Sequence, residues 1–209
     1  MRWPLESLRG FDLDQVTSSF PLSKRFGIKQ SSKVRCVDDF SQFSINAYAQ
    51  TCESHTVDIL CNMSLGLMSI SDGGTTWQAR NFDLKRAYRQ CAIHPDHACH
   101  NFIAVADPEA RQFLCYKMRA LPFGSVMSVH AFLRVANNLW AILVSIFSVY
   151  ISNYFDNFVA LAAVPETQAV TAAVSMAFKA LGWVFAETGD KAPLFDSLVT
   201  ALGVMIDVS

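Results

Sequence analysis

Between Arg134 and Asp156 the chain carries no charged residue, and the stretch includes the strongly apolar LWAILVSIFSVYI. No other feature limits the fold as tightly, because such a run must be buried in protein or in lipid. A bilayer span needs about 20 predominantly apolar residues. Here Asn137, Asn138, Ser145, Ser148, Ser152 and Asn153 interrupt the run, so a buried helix followed by a buried strand accounts for it better. The competing reading is a membrane-associated protein anchored by residues 135–152. The run ends in NYFDNFVAL, where Asp156 brings a lone carboxylate to a hairpin tip. A carboxylate beside so much apolar sequence is costly unless it is paired or binds something.

Over residues 128–143, Val129, Phe132, Leu133, Ala136, Leu139, Trp140 and Leu143 fall at helical spacing, with Ser125 or Ser128 placed to cap them. Phe147–Ser152 and Phe158–Ala162 are rich in β-formers and flank the turn NYFDN. A second helix is expected from Pro165-Glu166, proline being favoured at a first helical position, to Gly182. Its apolar stripe is Val170, Ala173, Val174, Ala177, Phe178 and Leu181. Trp183–Ala186 and Ala201–Val208 read as strands. Upstream, the breaker SDGGTT at 71–76 divides the chain. Trp77–Asp83 reads as a short strand ending in a carboxylate, and SKVRCVDDF (32–40) as another strand.

With 92–125 set aside, the order is β-α-β-β-α-β, an α+β arrangement of ferredoxin-like type with two helices. A right-handed β-α-β crossover makes its first two strands parallel. The end of the first strand and the turn after the second then share one edge of the sheet. Asp83 holds the first place and Asp156 the second. Paired acids there can form a general acid/base couple, a structural hydrogen-bonded pair, or ligands for a hard cation. Few oxygen ligands suit Mg²⁺, and two such ions about 3.5–4 Å apart can clamp an in-line phosphoryl displacement.

Bulk properties constrain less. The 209 residues are 52% hydrophobic and 17% charged, enough for one domain or two subdomains with a core. A net charge of −1 gives no global field for nucleic acid, so any such binding needs a local patch. Lys24, Arg25, Lys29, Lys33 and Arg35, with no acid among residues 24–35, are the best candidate, against the alternative of an ordinary solvated face. Six scattered cysteines and an N-terminus without an apolar leader point to reduced thiols in an intracellular protein of cytoplasm or nucleus, not a secreted one. Cys91, His94, His97, Cys99 and His100 have the composition of a zinc site, but Ile93, Phe102, Ile103 and Val105 around them read as core.

FDLKRAYRQ (82–90), LPFGSVMSVHAF (121–132), YFDN (154–157), LGW…GDKAP (181–193) and ALGVMID (201–207) follow one another in the order and spacing of reverse transcriptase palm motifs. KVRCVDDFS (33–41) resembles the fingers motif that precedes them. The resemblance covers residues 20–207 and is of the retroelement type. It implies a right-hand polymerase with an N-terminal extension (1–20), fingers (21–80 and 92–125) and palm (81–91 and 126–209). The implied activity is RNA-directed DNA polymerisation, a nucleotidyl transfer to a primer 3′-hydroxyl. It also implies two Mg²⁺ ions, with Mn²⁺ as a substitute, a primed RNA or DNA template, dNTPs, other segments of a retroelement polyprotein as partners, and no membrane.

By that resemblance Asp83 and Asp156 are the metal-binding aspartates, the second in a tip usually read Tyr-X-Asp-Asp. Tyr88 resembles the steric gate against a ribose 2′-hydroxyl; its alternative is a plain core tyrosine. Lys33 and Arg35 resemble the fingers cations that hold the triphosphate, a task for charge-assisted bonds. Gly124 resembles the glycine that admits nucleotide and template, and Phe123 stands where retroviral enzymes carry Gln, although Phe occurs in some retroelement relatives. Lys191 resembles the lysine near the leaving pyrophosphate, a proton donor; its alternative is a surface lysine.

Asn157 departs from the pattern, since an aspartate is usual there. An amide brings no charge to oppose two divalent ions. If the loss equals removal of one partner from a buried charge pair, about 3–5 kcal/mol, the rate falls by roughly 10²–10⁴. The alternative function is a catalytically dead reverse transcriptase-like remnant that binds nucleic acid weakly or packs with another chain. The sequence ends at Ser209, just past the last palm motif, so a palm without thumb, connection or ribonuclease H is expected, as in a fragment or decayed copy.

Overall fold

In the computed structural model, which describes residues 6–7, 22–30, 33–41, 45–49, 66, 74–107, 112–189, 191–201 and 204–208, the chain separates into two units, Met1–Ser54 with Tyr88–Ala131 and His55–Ala87 with Phe132–Ser209. Among these residues the strands are β1 (Glu6–Ser7), β2 (Leu22–Gln30), β3 (Lys33–Asp39), β4 (Trp77–Asp83), β5 (Phe102–Asp107), β6 (Gln112–Lys117), β7 (Tyr150–Tyr154), β8 (Asn157–Ala163), β9 (Leu198–Ala201) and β10 (Val204–Asp207). The helices are α1 (Ala87–Gln90), α2 (Val126–Ser145) and α3 (Thr167–Ala180). The class is α+β, as the element order implies.

The first unit carries a sheet ordered β1-β6-β5-β2-β3, in which β2 runs parallel to β5 and the other pairs are antiparallel. Register sets acids against two members of the basic patch expected over 24–35. Arg25 lies opposite Asp38 and Lys24 opposite Asp39. Arg25 Nε and Nη2 donate to the two Asp38 carboxylate oxygens at 2.6 and 2.9 Å, a bidentate pair. Counting charges along one strand misses the acid that its neighbour supplies. The expected serine cap on α2 also changes: the Val126 N–H donates to Asn46 Oδ1 at 3.0 Å. Residues 92–101 hold a short 3-10 helix, Pro95–His100, before β5 begins.

In the second unit β4 and β7 are both antiparallel to the central β8, so they are parallel to each other, as the crossover requires. Alternation along β4 and β8 divides the sheet into two faces. Phe82 and Phe158 lie on one, where Phe158 packs edge-on to Phe178 of α3 at 5.3 Å and Phe178 to Phe185 at 5.4 Å. Arg80 is buried there as well, its guanidinium 4.6 Å from the Phe82 ring centroid and its Nη1 donating to Thr171 Oγ1 at 3.1 Å. Burial pushes its pKa down. On the other face Ala79, Val159 and Leu161 pack with Val199, Ala201 and Val208 of the β9–β10 hairpin. This hairpin, starting at Leu198, replaces the single strand expected over 201–208.

The uncharged run resolves into α2, β7 and the hairpin tip. Helix α2 is long and apolar enough to cross a bilayer by length and composition. One of its stripes, Phe132, Leu133, Ala136, Leu139 and Leu143, is buried in protein, and Trp140 Nε1 donates to the Ile151 carbonyl at 2.7 Å. Helix α3 ends in a Schellman motif: Gly182 N–H donates to Lys179 O at 3.0 Å and Trp183 N–H to Phe178 O at 2.7 Å. Gly182 supplies the left-handed φ of +79° that this closure needs.

The fourth strand expected at Trp183–Ala186 is reduced to a bridge between Phe185 and Leu84 on the free edge of β4. The chain then leaves that edge and returns at Asp196, which bridges Ala79. Gly189, at φ +82°, and Pro193, which has no N–H to donate, lie between the two bridges and break continuous pairing.

Candidate active site

Asp83 is the last residue of β4 and stands directly opposite Asn157, the first residue of β8. Tyr154 pairs with Asn157, so Phe155 and Asp156 form a two-residue turn between β7 and β8. The Asp156 carbonyl accepts the Leu84 N–H at 2.9 Å, which brings the turn against the residue that follows Asp83. Two carboxylates far apart in sequence thus share one end of the sheet. Phe155 adopts φ +52°, a region that a bulky side chain rarely takes and that costs roughly 1–3 kcal/mol. Its ring lies 5.0 Å from that of Tyr154.

Lys191 reaches the same place from the loop between the Phe185 and Asp196 bridges. Its Nζ donates to Asp83 Oδ2 at 2.5 Å, with the lysine side chain 59% exposed and that of Asp83 only 10%. The lysine expected beside a departing pyrophosphate therefore holds the first aspartate.

Asn157 Oδ1 accepts from Asn81 Nδ2 at 3.1 Å, and Asn157 Nδ2 faces Asp156 Oδ1 at 3.4 Å. An ionised carboxylate only accepts, so the nitrogen is the end of the amide that faces Asp156. Asn81 Oδ1 is buried without a hydrogen-bond partner. Sequence reasoning passed over Asn81. Period two marks it, since it lies two positions before Asp83 on the same face of β4. As donors for a hard cation, the Asp83 and Asp156 oxygens fit Mg²⁺. Asn157 does not fit as a third, because its oxygen is held by Asn81.

The remaining sequence-derived residues belong to the first unit. Tyr88, on α1, sets its ring edge-on to Phe123 at 5.7 Å, and Phe123 is 40% exposed. Gly124 has φ +119°, and a Cβ there would land on the Asp38 carbonyl oxygen. Asp38 N–H in turn donates to Phe123 O at 3.1 Å, and Gly124 O accepts from Asn46 Nδ2 at 3.0 Å. Close approach of the protein's own backbone is thus a sufficient reason for glycine here. Lys33 and Arg35 lie on β3, opposite Gln30 and Ile28, and their side chains fall outside the described residues. Asn46, which ties Gly124 to the start of α2, carries no sequence signal of this role.

In the zinc-like run, burial pushes the Cys91 thiol up to about 11. His94 accepts from the Asp96 N–H at 3.4 Å. The side chains of Cys99 and His100 lie outside the described residues.

No protein-family model matches the sequence, and no curated protein matches it. Solved structures do. The chain is similar to the foamy viral protease-reverse transcriptase in complex with double-stranded DNA, with a TM-score of 0.67 and 19% identity over 89% of this chain and 29% of that one. A second structure of the foamy viral protease-reverse transcriptase with double-stranded DNA gives a TM-score of 0.66 and 18% identity over 88% of this chain and 35% of that one. The fold is reverse-transcriptase-like. This chain spans about a third of the length of those proteins. The β4-β8-β7 sheet, with Asp83 and Asp156 at one end, is consistent with a polymerase palm-like fold.

Proposed function

We propose that this chain is the fingers and palm core of a retroelement RNA-directed DNA polymerase, a nucleotidyltransferase acting on a primed RNA or DNA template with dNTPs. The observation that carries the reading is the placement of Asp83 opposite Asn157 with Asp156 beside it, at the end of a palm-like sheet. In the reaction, the primer 3′-hydroxyl oxygen attacks the α-phosphorus of a dNTP. The bond from the α-phosphorus to the bridging oxygen breaks, pyrophosphate leaves with that oxygen, and the hydroxyl proton passes to solvent water. Mg²⁺, or Mn²⁺ in its place, would be held by Asp83 and Asp156 and would supply charge neutralisation.

The chain's own groups supply positioning. Lys33 and Arg35 bind the triphosphate, and the Tyr88 ring blocks a 2′-hydroxyl. The backbone at Phe123 and Gly124 shapes the floor for nucleotide and template. Lys191 gives a proton or a hydrogen bond to the leaving pyrophosphate once it has left Asp83. The same reading makes other segments of a retroelement polyprotein its partners and places it inside the cell.

Primer extension on an RNA template tests this. Incorporation is expected for dNTPs over rNTPs, and Asp83→Ala is expected to abolish it. Extension that survives Asp83→Ala would remove the assignment.

A second reading, a non-catalytic module that binds nucleic acid, is favoured by one observation: the Asn157 amide is taken up by Asn81 and faces Asp156. Salt-dependent duplex binding without extension in any divalent metal would select it.

A further inference from the structure

Nitrogen atoms of the chain stand on both carboxylates of the site. Lys191 Nζ lies 2.5 Å from Asp83 Oδ2, and Asn157 Nδ2 lies 3.4 Å from Asp156 Oδ1. The two contacts differ in kind. The Asp83 side chain is 10% exposed, so water serves its charge poorly and the ammonium neutralises it. The Asn157 amide is neutral and makes a long contact. Lys191 itself is 59% exposed and sits in the loop between the two bridges to β4. Its ammonium can therefore swing off Asp83 while Phe185 and Asp196 keep the loop's ends on the strand.

Resting on the polymerase reading above, we propose that Lys191 is an internal counter-ion that holds Asp83 in competition with a divalent cation. An ammonium on Asp83 Oδ2 and a divalent ion on the same carboxylate repel each other and compete for its one negative charge. A divalent ion that binds through Asp83 therefore weakens the lysine's hold, and a loosened ammonium becomes free for an anionic group such as a phosphate. The coupling is reciprocal: whatever draws Lys191 away tightens the metal. The lysine thus links filling of the carboxylate site to readiness for an anion.

Mn²⁺ titration of the whole chain, with free ion read by electron paramagnetic resonance, tests this without any turnover. Lys191→Met is expected to bind Mn²⁺ about threefold more tightly than wild type, the scale of one ion pair with a largely exposed lysine. Lys191→Arg keeps the cation and is expected to match wild type. Adding Asp83→Asn to Lys191→Met is expected to erase the gain. Without metal, Lys191→Met should melt below wild type and gain more in melting temperature from Mn²⁺. If the Met variant does not fold, Lys191→Gln is read in the same way.

Equal Mn²⁺ affinity in wild type and Lys191→Met would overturn the competition and leave the polymerase reading standing. A gain that survives Asp83→Asn would overturn it too. No Mn²⁺ binding in any variant would overturn both.

Discussion

Asn81 Nδ2 donates to Asn157 Oδ1 at 3.1 Å, diagonally across the β4–β8 ladder, because Asn81 itself is registered with Val159. The bond fixes which end of the Asn157 amide faces Asp156. An aspartate-rich tip would crowd like charges at this edge; here a neutral amide lies beside Asp156 and opposite Asp83. Asn157 is therefore built into the sheet edge.

A double-mutant cycle checks that tie. Asn81→Ala and Asn157→Ala are each expected to destabilise by about 1 kcal/mol, with a coupling of about 0.5–1.5 kcal/mol between them. Urea unfolding of the four proteins gives the numbers. Zero coupling would mean that the amides are only neighbours.

Asp38 and Arg25 form a buried ion pair, with side chains 1% and 12% exposed. Asp38→Ala leaves the guanidinium buried alone and is expected to cost about 3–5 kcal/mol. The Arg25→Met, Asp38→Leu double variant is expected to recover most of that in the same unfolding assay. A single-variant cost below about 1 kcal/mol would contradict the pairing.

Gly124 and Gly182 both have left-handed backbone, at φ +119° and +79°, but differ in what a methyl group would meet. At Gly182 the space is open within 4 Å, whereas at Gly124 it holds the Asp38 carbonyl. Gly182→Ala is expected to cost about 1–2 kcal/mol from backbone alone. Gly124→Ala is expected to cost more, because the Asp38–Phe123 hydrogen bond must also give way. Melting temperatures of the two variants rank them.

Burial pushes the Cys91 thiol from 9.0 to about 11. The folded protein thus keeps a proton that the unfolded chain releases in that window. The stability this contributes is fully present below pH 9 and is lost as pH rises towards 11. Wild type is expected to lose more stability between pH 8 and 10.5 than Cys91→Ser does, by urea unfolding at both pH values. In a timed alkylation at neutral pH, the exposed Cys36 should react before Cys91.

Much of the second unit is legible in the sequence. Its strands and helices alternate or repeat at clear periods, so β4, α2, β8 and α3 fall within a few residues of where the pattern puts them, and Asp83 and Asp156 come to one sheet end by topology alone. Other features depend on partners distant in sequence. The α2 cap comes from Asn46, the neutralisation of Arg25 from the next strand, and the Asn157 amide is held from β4. None of these leaves a local pattern. Pairing along β4 is reduced to single bridges on either side of Gly189 and Pro193, which are visible as breakers but do not say where pairing resumes. The role of Lys191 was legible as chemistry and not as place. The sequence marks a cation near the phosphates, and the fold puts it on Asp83.

On the polymerase reading proposed above, Asn157 weakens a nucleotidyl-transfer site at the Asp83–Asp156 end of the sheet. Steady-state primer extension on an RNA template by Asn157→Asp, beside wild type, measures this. The substitution keeps an acceptor for Asn81 Nδ2 and restores the missing charge. The expected result is a gain of roughly 10²–10⁴ in rate, lost again when Asp83→Ala is added. A folded Asn157→Asp protein with no measurable extension in Mg²⁺ or Mn²⁺ would contradict the claim.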